Sequence, residues 1–120
     1  MLRQMLKAKL HRATVTEADL SYEGSLTIDK NLMDAVGIVP FERVHIYNIN
    51  NGERFDTYAI VGVPGAGVIG LNGAAARKGM VGDSIIICTY CFAPEEEIAT
   101  HQPAIVLLDE HNAIKETLTI

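Results

Sequence analysis

Cysteine is scarce in this chain: Cys88 and Cys91 are the two in 120 residues. Two are too few for a disulfide scaffold, so the fold must rest on a buried core. Basic charge is also short. Ten Lys and Arg stand against fifteen Asp and Glu, a formal net charge of −5. An acidic chain without a basic cluster suits neither nucleic acid nor an anionic membrane surface. An anionic ligand would have to be held by a few local Lys or Arg against the overall field. No apolar run reaches the roughly eighteen residues of a membrane span. Arg3, Lys7 and Lys9 interrupt the apolar residues at the start, which removes the core of a signal peptide. These features point to the cytoplasm. Low-complexity segments, linkers and repeats are absent, so residues 1–120 read as one domain. Hydrophobic residues make up 48% and charged residues 21%, enough to build a core and to exclude a disordered tail.

Met1 to His11 carries two signals. Leu2, Leu6, Ala8 and Leu10 alternate with Arg3, Lys7, Lys9 and His11, which reads as a strand, whereas the residue types favour helix by propensity. Ala13 to Glu23 is polar and irregular. Ser25 to Asp29 reads as a strand, and Asp29 can cap a short helix, Lys30 to Val36, stopped by Gly37. Val44 to Ile49 and Arg54 to Val61 flank Asn50-Asn51-Gly52, a signal for a hairpin with a tight turn. Val68 to Leu71 is a short apolar stretch inside the glycine-rich segment Gly65 to Gly73. Ala74 to Lys78 suits one helical turn before Gly79. Gly82-Asp83 turns the chain into a β-branched strand, Ser84 to Phe92. Pro94 followed by Glu95, Glu96 and Glu97 marks a helix start, and Ala104 to Leu108 reads as a last buried strand. Many short strands, few helices and frequent turns point to a small β-barrel.

Several motifs carry chemical meaning. Gly65-Ala66-Gly67-Val68-Ile69-Gly70 has the spacing of the dinucleotide fingerprint. No long helix can follow it, because Leu71-Asn72-Gly73 comes next, so it reads as a loop that needs small residues. Cys88-Thr89-Tyr90-Cys91 has metal or redox spacing but lacks a second pair. On a strand its two sulfurs point to opposite faces, so both read as buried thiols used as small hydrophobes. His11, His45, His101 and His111 include no i, i+4 pair and make no metal-binding helix. The peptide Gly24-Ser25 can be a self-cleavage site: the hydroxyl can attack the preceding carbonyl, and glycine offers no Cβ to block it. By itself the dipeptide is common in turns.

Four segments occur in order. They are Lys9-Leu10-His11-Arg12-Ala13, Tyr22-Glu23-Gly24-Ser25, Asn51-Gly52-Glu53-Arg54-Phe55 with Thr57-Tyr58, and Asn72-Gly73-Ala74-Ala75-Ala76. Together they closely resemble the aspartate 1-decarboxylase family, pyruvoyl-dependent lyases that make β-alanine for pantothenate synthesis. The resemblance runs from about Met5 to near Asp109. It implies a mainly β fold, a double-psi β-barrel with a few short helices, assembled as a homotetramer with active sites between subunits. It implies a zymogen that cuts itself between Gly24 and Ser25, giving fragments 1–24 and 25–120, with a covalent pyruvoyl group made from Ser25 and neither metal nor pyridoxal phosphate.

The resemblance also implies roles. Thr57 would stabilise the oxyanion during maturation and contact substrate. L-Aspartate would form a Schiff base with the pyruvoyl carbonyl, which draws off the electrons released with CO₂. Tyr58 would return a proton to Cα. Arg54 and Lys9 would hold the carboxylates, with Gly73, Ala74 and Ala75 lining the pocket. Tyr22 and Asn72 would support by hydrogen bonding, and His11 would sit behind the site or at a subunit interface. In some relatives a separate maturation factor promotes cleavage. Two other classes make different predictions: a non-enzymatic barrel stays an intact chain, and a dinucleotide binder retains cofactor without cleavage.

Overall fold

The computed structural model describes residues 1–119. In chain order its strands are β1 (Leu2–Thr14), β2 (Glu17–Asp19), β3 (Ser25–Asp29), β4 (Arg43–Asn48), β5 (Arg54–Gly62), β6 (Ile69–Asn72), β7 (Ser84–Pro94), β8 (Ala104–Leu108) and β9 (Ile114–Leu118). Helix α1 (Lys30–Val36) follows β3, a 3-10 turn (Gly73–Arg77) follows β6, and α2 (Glu95–Ile98) follows β7. The strands lie in the order β2-β6-β3-β5-β4-β7-β1-β8-β9.

Alternation prevails over helix propensity in β1 because both edges of the strand find partners. It pairs antiparallel with β7 from Leu2↔Pro94 to Thr14↔Ser84, and parallel with β8 from Ala8↔Ala104 to His11↔Leu107. The ladder with β7 shifts register between Leu6 and Ala8 and again between Leu10 and Ala13, where Arg12 adopts a φ of 64°. Parallel pairs β1/β8, β2/β6 and β3/β5 are interspersed among antiparallel ones, and each requires a crossover connection. Such crossing connections belong to a double-psi β-barrel, as the resemblance implied.

Period-two alternation sends one set of side chains inward. Leu10, Leu26, Ile28, Val44, Ile46, Ile69, Leu71, Ile85 and Ile87 are wholly buried in one cluster. Each such side chain contributes roughly 1.5–3 kcal/mol by leaving water. The described residues contain no helix long and apolar enough to cross a membrane.

Some expectations need correction. The irregular segment after Ala13 includes β2, which local pattern could not show because its three residues are all exposed and are held only by pairing with β6. Ala104 to Leu108 is the last buried strand, as read; an unforeseen strand, β9, follows it, almost wholly exposed and antiparallel to β8. The β4–β5 hairpin forms, but its loop runs from Asn48 to Glu53, closed by Asn48 N–H to Glu53 C=O at 2.9 Å, and Gly52 alone has a positive φ. Asn48 explains the wider loop, since its side-chain oxygen accepts from Asn50 N–H at 2.9 Å. Pro94 stands just before α2 rather than inside it. Both cysteines are free; Cys88 is buried, while Cys91 is only half-buried because it lies toward the exposed end of β7.

The glycine-rich loop does bind an anion, and the anion is the protein's own. Gly65 and Gly67, both with positive φ, donate backbone N–H groups to the Asp29 carboxylate at 3.0 and 2.8 Å. Asn31 N–H, in the first turn of α1, donates to the same carboxylate at 2.8 Å. Burial pushes the Asp29 carboxyl upward, but the three N–H donors outweigh it and hold it below the usual carboxylate range. A group depressed in the folded state stabilises above its unfolded value, near 4, and loses that contribution as pH falls through the folded value. Asp29→Asn should therefore cost about 1–3 kcal/mol at pH 7. Urea denaturation should show the gap to the parent narrowing below pH 4, beyond the acid loss that Asp19 and Asp109 share.

Candidate active site

Ser25 opens β3 and is 1% exposed. Its register partner is Asn72, the last residue of β6. The Asn72 side-chain amide donates one hydrogen to Ser25 Oγ at 3.0 Å and the other to Thr27 Oγ1 at 2.8 Å. Ser25 and Thr27 are two apart on a strand and so share a face. With the amide fixed by two hydroxyls, Ser25 Oγ is oriented and still keeps its own proton to give.

The segment before Ser25 is clamped by backbone. Gly73 has a φ of 62°, and a Cβ there would lie 2.8 Å from Gly24 N, Gly24 Cα and Tyr22 O. The Cβ of a residue replacing Gly24 would meet nothing within 4 Å, so the side-chain position of Gly24 faces open space. A cavity of about 180 Å³ adjoins this junction, lined by Gly24, Phe55, Asp56, Thr57, Ala74, Ala75 and Lys78. Tyr58 is on the strand next to β3, where the register Leu26↔Ala59 brings it level with Ser25.

Lys9 and Arg54 lie elsewhere. On β5, Arg54, Asp56 and Tyr58 alternate with Phe55, Thr57 and Ala59, and form the outer set. Register aligns Lys9, Cys88, His45 and Asp56 in one row across β1, β7, β4 and β5, with Ile86, Tyr47 and Arg54 in the next. Burial pushes the Cys88 thiol up, and the charges of Lys9 and Arg54 oppose it, so both cations sit near that sulfur. Lys7, Arg43 and Lys78 are paired with Glu42, Asp56 and Glu53, whereas Lys9 and Arg54 have no acidic partner among the described residues. His11 follows on β1, its Nδ1 buried without a partner. Burial first, then Lys9 and Arg12, lower its proton affinity and keep it neutral at neutral pH.

Of the expected site residues, Gly24, Ser25, Thr57, Asn72, Gly73, Ala74 and Ala75 come together, with the Tyr22 carbonyl packed against Gly73 and Tyr58 one strand away. Lys9, Arg54 and His11 do not join them. β3 and β1 are four strand spacings apart in the sheet, roughly 19 Å. Sequence reasoning missed Thr27, though its two-residue spacing from Ser25 is a readable signal. It also missed Asp56 and Lys78 at the cavity, which only register and the following turn bring there. Among the described residues, no cluster of three or more His, Cys, Asp or Glu could hold a metal ion.

Fold and site together define a double-psi β-barrel with a buried serine, oriented by Asn72, directly after a glycine. The sequence model of the family described as "Aspartate decarboxylase" matches residues 1–115, and the chain belongs to that family. It is 62% identical to an aspartate 1-decarboxylase of Desulfotalea psychrophila over 97% of this chain and 98% of that one. It is 61% identical to the enzyme of the same name from Bordetella avium, over 97% and 95% of the two chains. The corresponding protein of Cupriavidus taiwanensis is 58% identical over 97% of each.

Gly73→Ala should strain the backbone and push the Tyr22–Gly24 segment away. The left-handed backbone alone costs about 1–2 kcal/mol. A lower thermal midpoint and faster protease nicking before Ser25 are expected; unchanged values for both would contradict the close packing.

Proposed function

We propose that this chain decarboxylates L-aspartate to β-alanine and CO₂, serving pantothenate synthesis in the cytoplasm, after cutting itself between Gly24 and Ser25. The observation that carries this reading is the Ser25 hydroxyl, buried and held by Asn72 immediately after Gly24.

In maturation, Ser25 Oγ attacks the Gly24 carbonyl carbon. The C–O ester bond forms, the C–N amide bond breaks, and the hydroxyl proton goes to the freed amine. Thr57, beside Gly24 at the cavity, is the hydroxyl suited to the oxyanion. Loss of the ester from Cβ, with a proton from Cα, leaves a carboxylate on Gly24 and an unsaturated residue at 25. Water then enters and ammonia leaves. The residues fit the product, since a buried serine side chain becomes a ketone of no greater bulk. Met1 to Gly24 carries β1 and β2, both laddered into the sheet, so the small fragment stays bound within one domain.

Position 25 would hold the pyruvoyl group, whose carbonyl would supply imine chemistry and an electron sink for the decarboxylation. This self-made electron sink needs neither metal nor pyridoxal phosphate. Tyr58 returns a proton to the substrate Cα; it lies level with Ser25 on the neighbouring strand and is exposed. Arg54 grips one carboxylate in bidentate fashion and Lys9 attracts the other. Gly73, Ala74 and Ala75 form a pocket wall of small residues. Asn72 orients Ser25, Tyr22 closes the loop before it, and neutral His11 backs Lys9.

Lys9 lies four strands from Ser25 along the sheet, and neither Lys9 nor Arg54 lines the cavity beside Gly24. We therefore read the cations as serving a neighbouring copy, with sites between the subunits of a homotetramer.

Denaturing intact-mass measurement should give fragments 1–24 and 25–120, the larger about 17 Da lighter than a serine N-terminus requires. A precursor that stays whole on warming and cleaves after lysate is added would identify a maturation factor. Ser25→Ala should abolish cleavage and turnover. Tyr58→Phe should still be cleaved but lose about 10²–10⁴ in kcat; normal turnover would refute its role as proton donor. Subunits carrying Ser25→Ala and Arg54→Ala, inactive separately, should regain activity when reassembled together. Failure to regain any would place the whole site within one chain.

A further inference from the structure

On the outer face of the barrel, Tyr47 and Tyr90 form a pair that the proposed reaction does not use. Tyr47 on β4 is the cross-strand partner of Arg54 on β5. The guanidinium carbon of Arg54 lies 4.0 Å from the centroid of the Tyr47 ring. Stacking of this kind occupies the flat face of the guanidinium and leaves its N–H donors free at the edge. The Tyr47 hydroxyl is 2.6 Å from the Tyr90 hydroxyl on β7, one donating to the other. Tyr90 is itself wedged in place, with its ring meeting His45 edge-on at a centroid distance of 5.1 Å.

Burial, then the Tyr47 hydroxyl and Cys88, push the Tyr90 phenol far above its ordinary range, so Tyr90 keeps its hydroxyl proton. Asp56, the acid nearest Arg54 along β5, is occupied by Arg43 at 2.8 Å. Arg54 therefore has, among the described residues, an aromatic ring for support and no carboxylate to quench it. An exposed arginine without such support samples many rotamers, and ordering it would weigh against binding.

We propose that Tyr90 is a positioning residue for the reaction. Its hydroxyl fixes Tyr47, the Tyr47 ring fixes the Arg54 guanidinium, and the guanidinium meets a substrate carboxylate edge-on. The proposal rests on the reading of Arg54 as a carboxylate ligand.

Tyr90→Phe removes one oxygen from this chain of contacts. Loss of a hydrogen bond of ordinary strength corresponds to roughly a five-fold effect on binding. Tyr90→Phe should therefore raise KM for aspartate about three- to ten-fold, with kcat within about two-fold and the cleaved fraction unchanged. Tyr47→Phe breaks the same hydrogen bond from the other side and should match it, and the double variant should be no worse than either single one. Calorimetric titration of succinate into the uncleaved Ser25→Ala protein should show the same weakening with Tyr90→Phe, independently of turnover. In an Arg54→Lys background the Tyr90→Phe effect should vanish, because an ammonium has no plane to stack.

An unchanged KM and unchanged succinate affinity for Tyr90→Phe, with Arg54→Ala strongly impaired, would overturn this proposal and leave the role of Arg54 standing. Additive effects of the two Phe substitutions would overturn it as well. If Arg54→Ala bound succinate and aspartate normally, the reading of Arg54 would fall, and this proposal with it.

Discussion

Both edges of β1 are hydrogen-bonded, to β7 on one side and β8 on the other, and the rest of the barrel depends on that constraint. A strand so held cannot leave without exposing two ladders of backbone groups, each costly to strand away from water. A backbone cut after Gly24 would therefore leave the fold intact, because residues 1–24 contain the strand that the rest of the chain is built around. The same strand carries Lys9 and His11 to the outer face, and the carbonyl of Leu6 binds the His101 ring at 2.6 Å, tying the segment before β8 to it.

Charge is distributed with equal economy. In a chain of net charge −5, most cations near the site are neutralised by neighbouring acids, as Lys7, Arg43 and Lys78 are. Exposed pairs of this kind add little stability. Their effect here is to occupy the acids, so that Lys9 and Arg54 are left without acidic partners among the described residues. The Asp29 loop is the reverse case, since its backbone donors are consumed by an internal carboxylate and have nothing left for a phosphate.

Local chemistry was legible wherever a few adjacent residues decide the outcome. Asp29 as a cap, α1 from Lys30 to Val36, the strand from Ser25 and the strand beginning at Ser84 are governed by spacing, capping and β-branching, and they occur as read. The segments that misled are those held by remote partners. β2 and β9 have almost no buried face, so no periodicity marks them. The hairpin loop widened because the Asn48 side chain competes for its backbone donors, a contest that the Asn-Gly signal does not include.

The sequence by itself determined the family, because that depends on which functional groups are present and in what order. Tertiary structure alone decided that Asn72 holds Ser25, that Gly73 abuts Gly24, and that Tyr47 and Tyr90 support Arg54. It also decided that Lys9 and Ser25 stand four strands apart. Those relations are fixed by register and crossover between strands distant in the chain, and a linear pattern carries no record of which strand lies beside which.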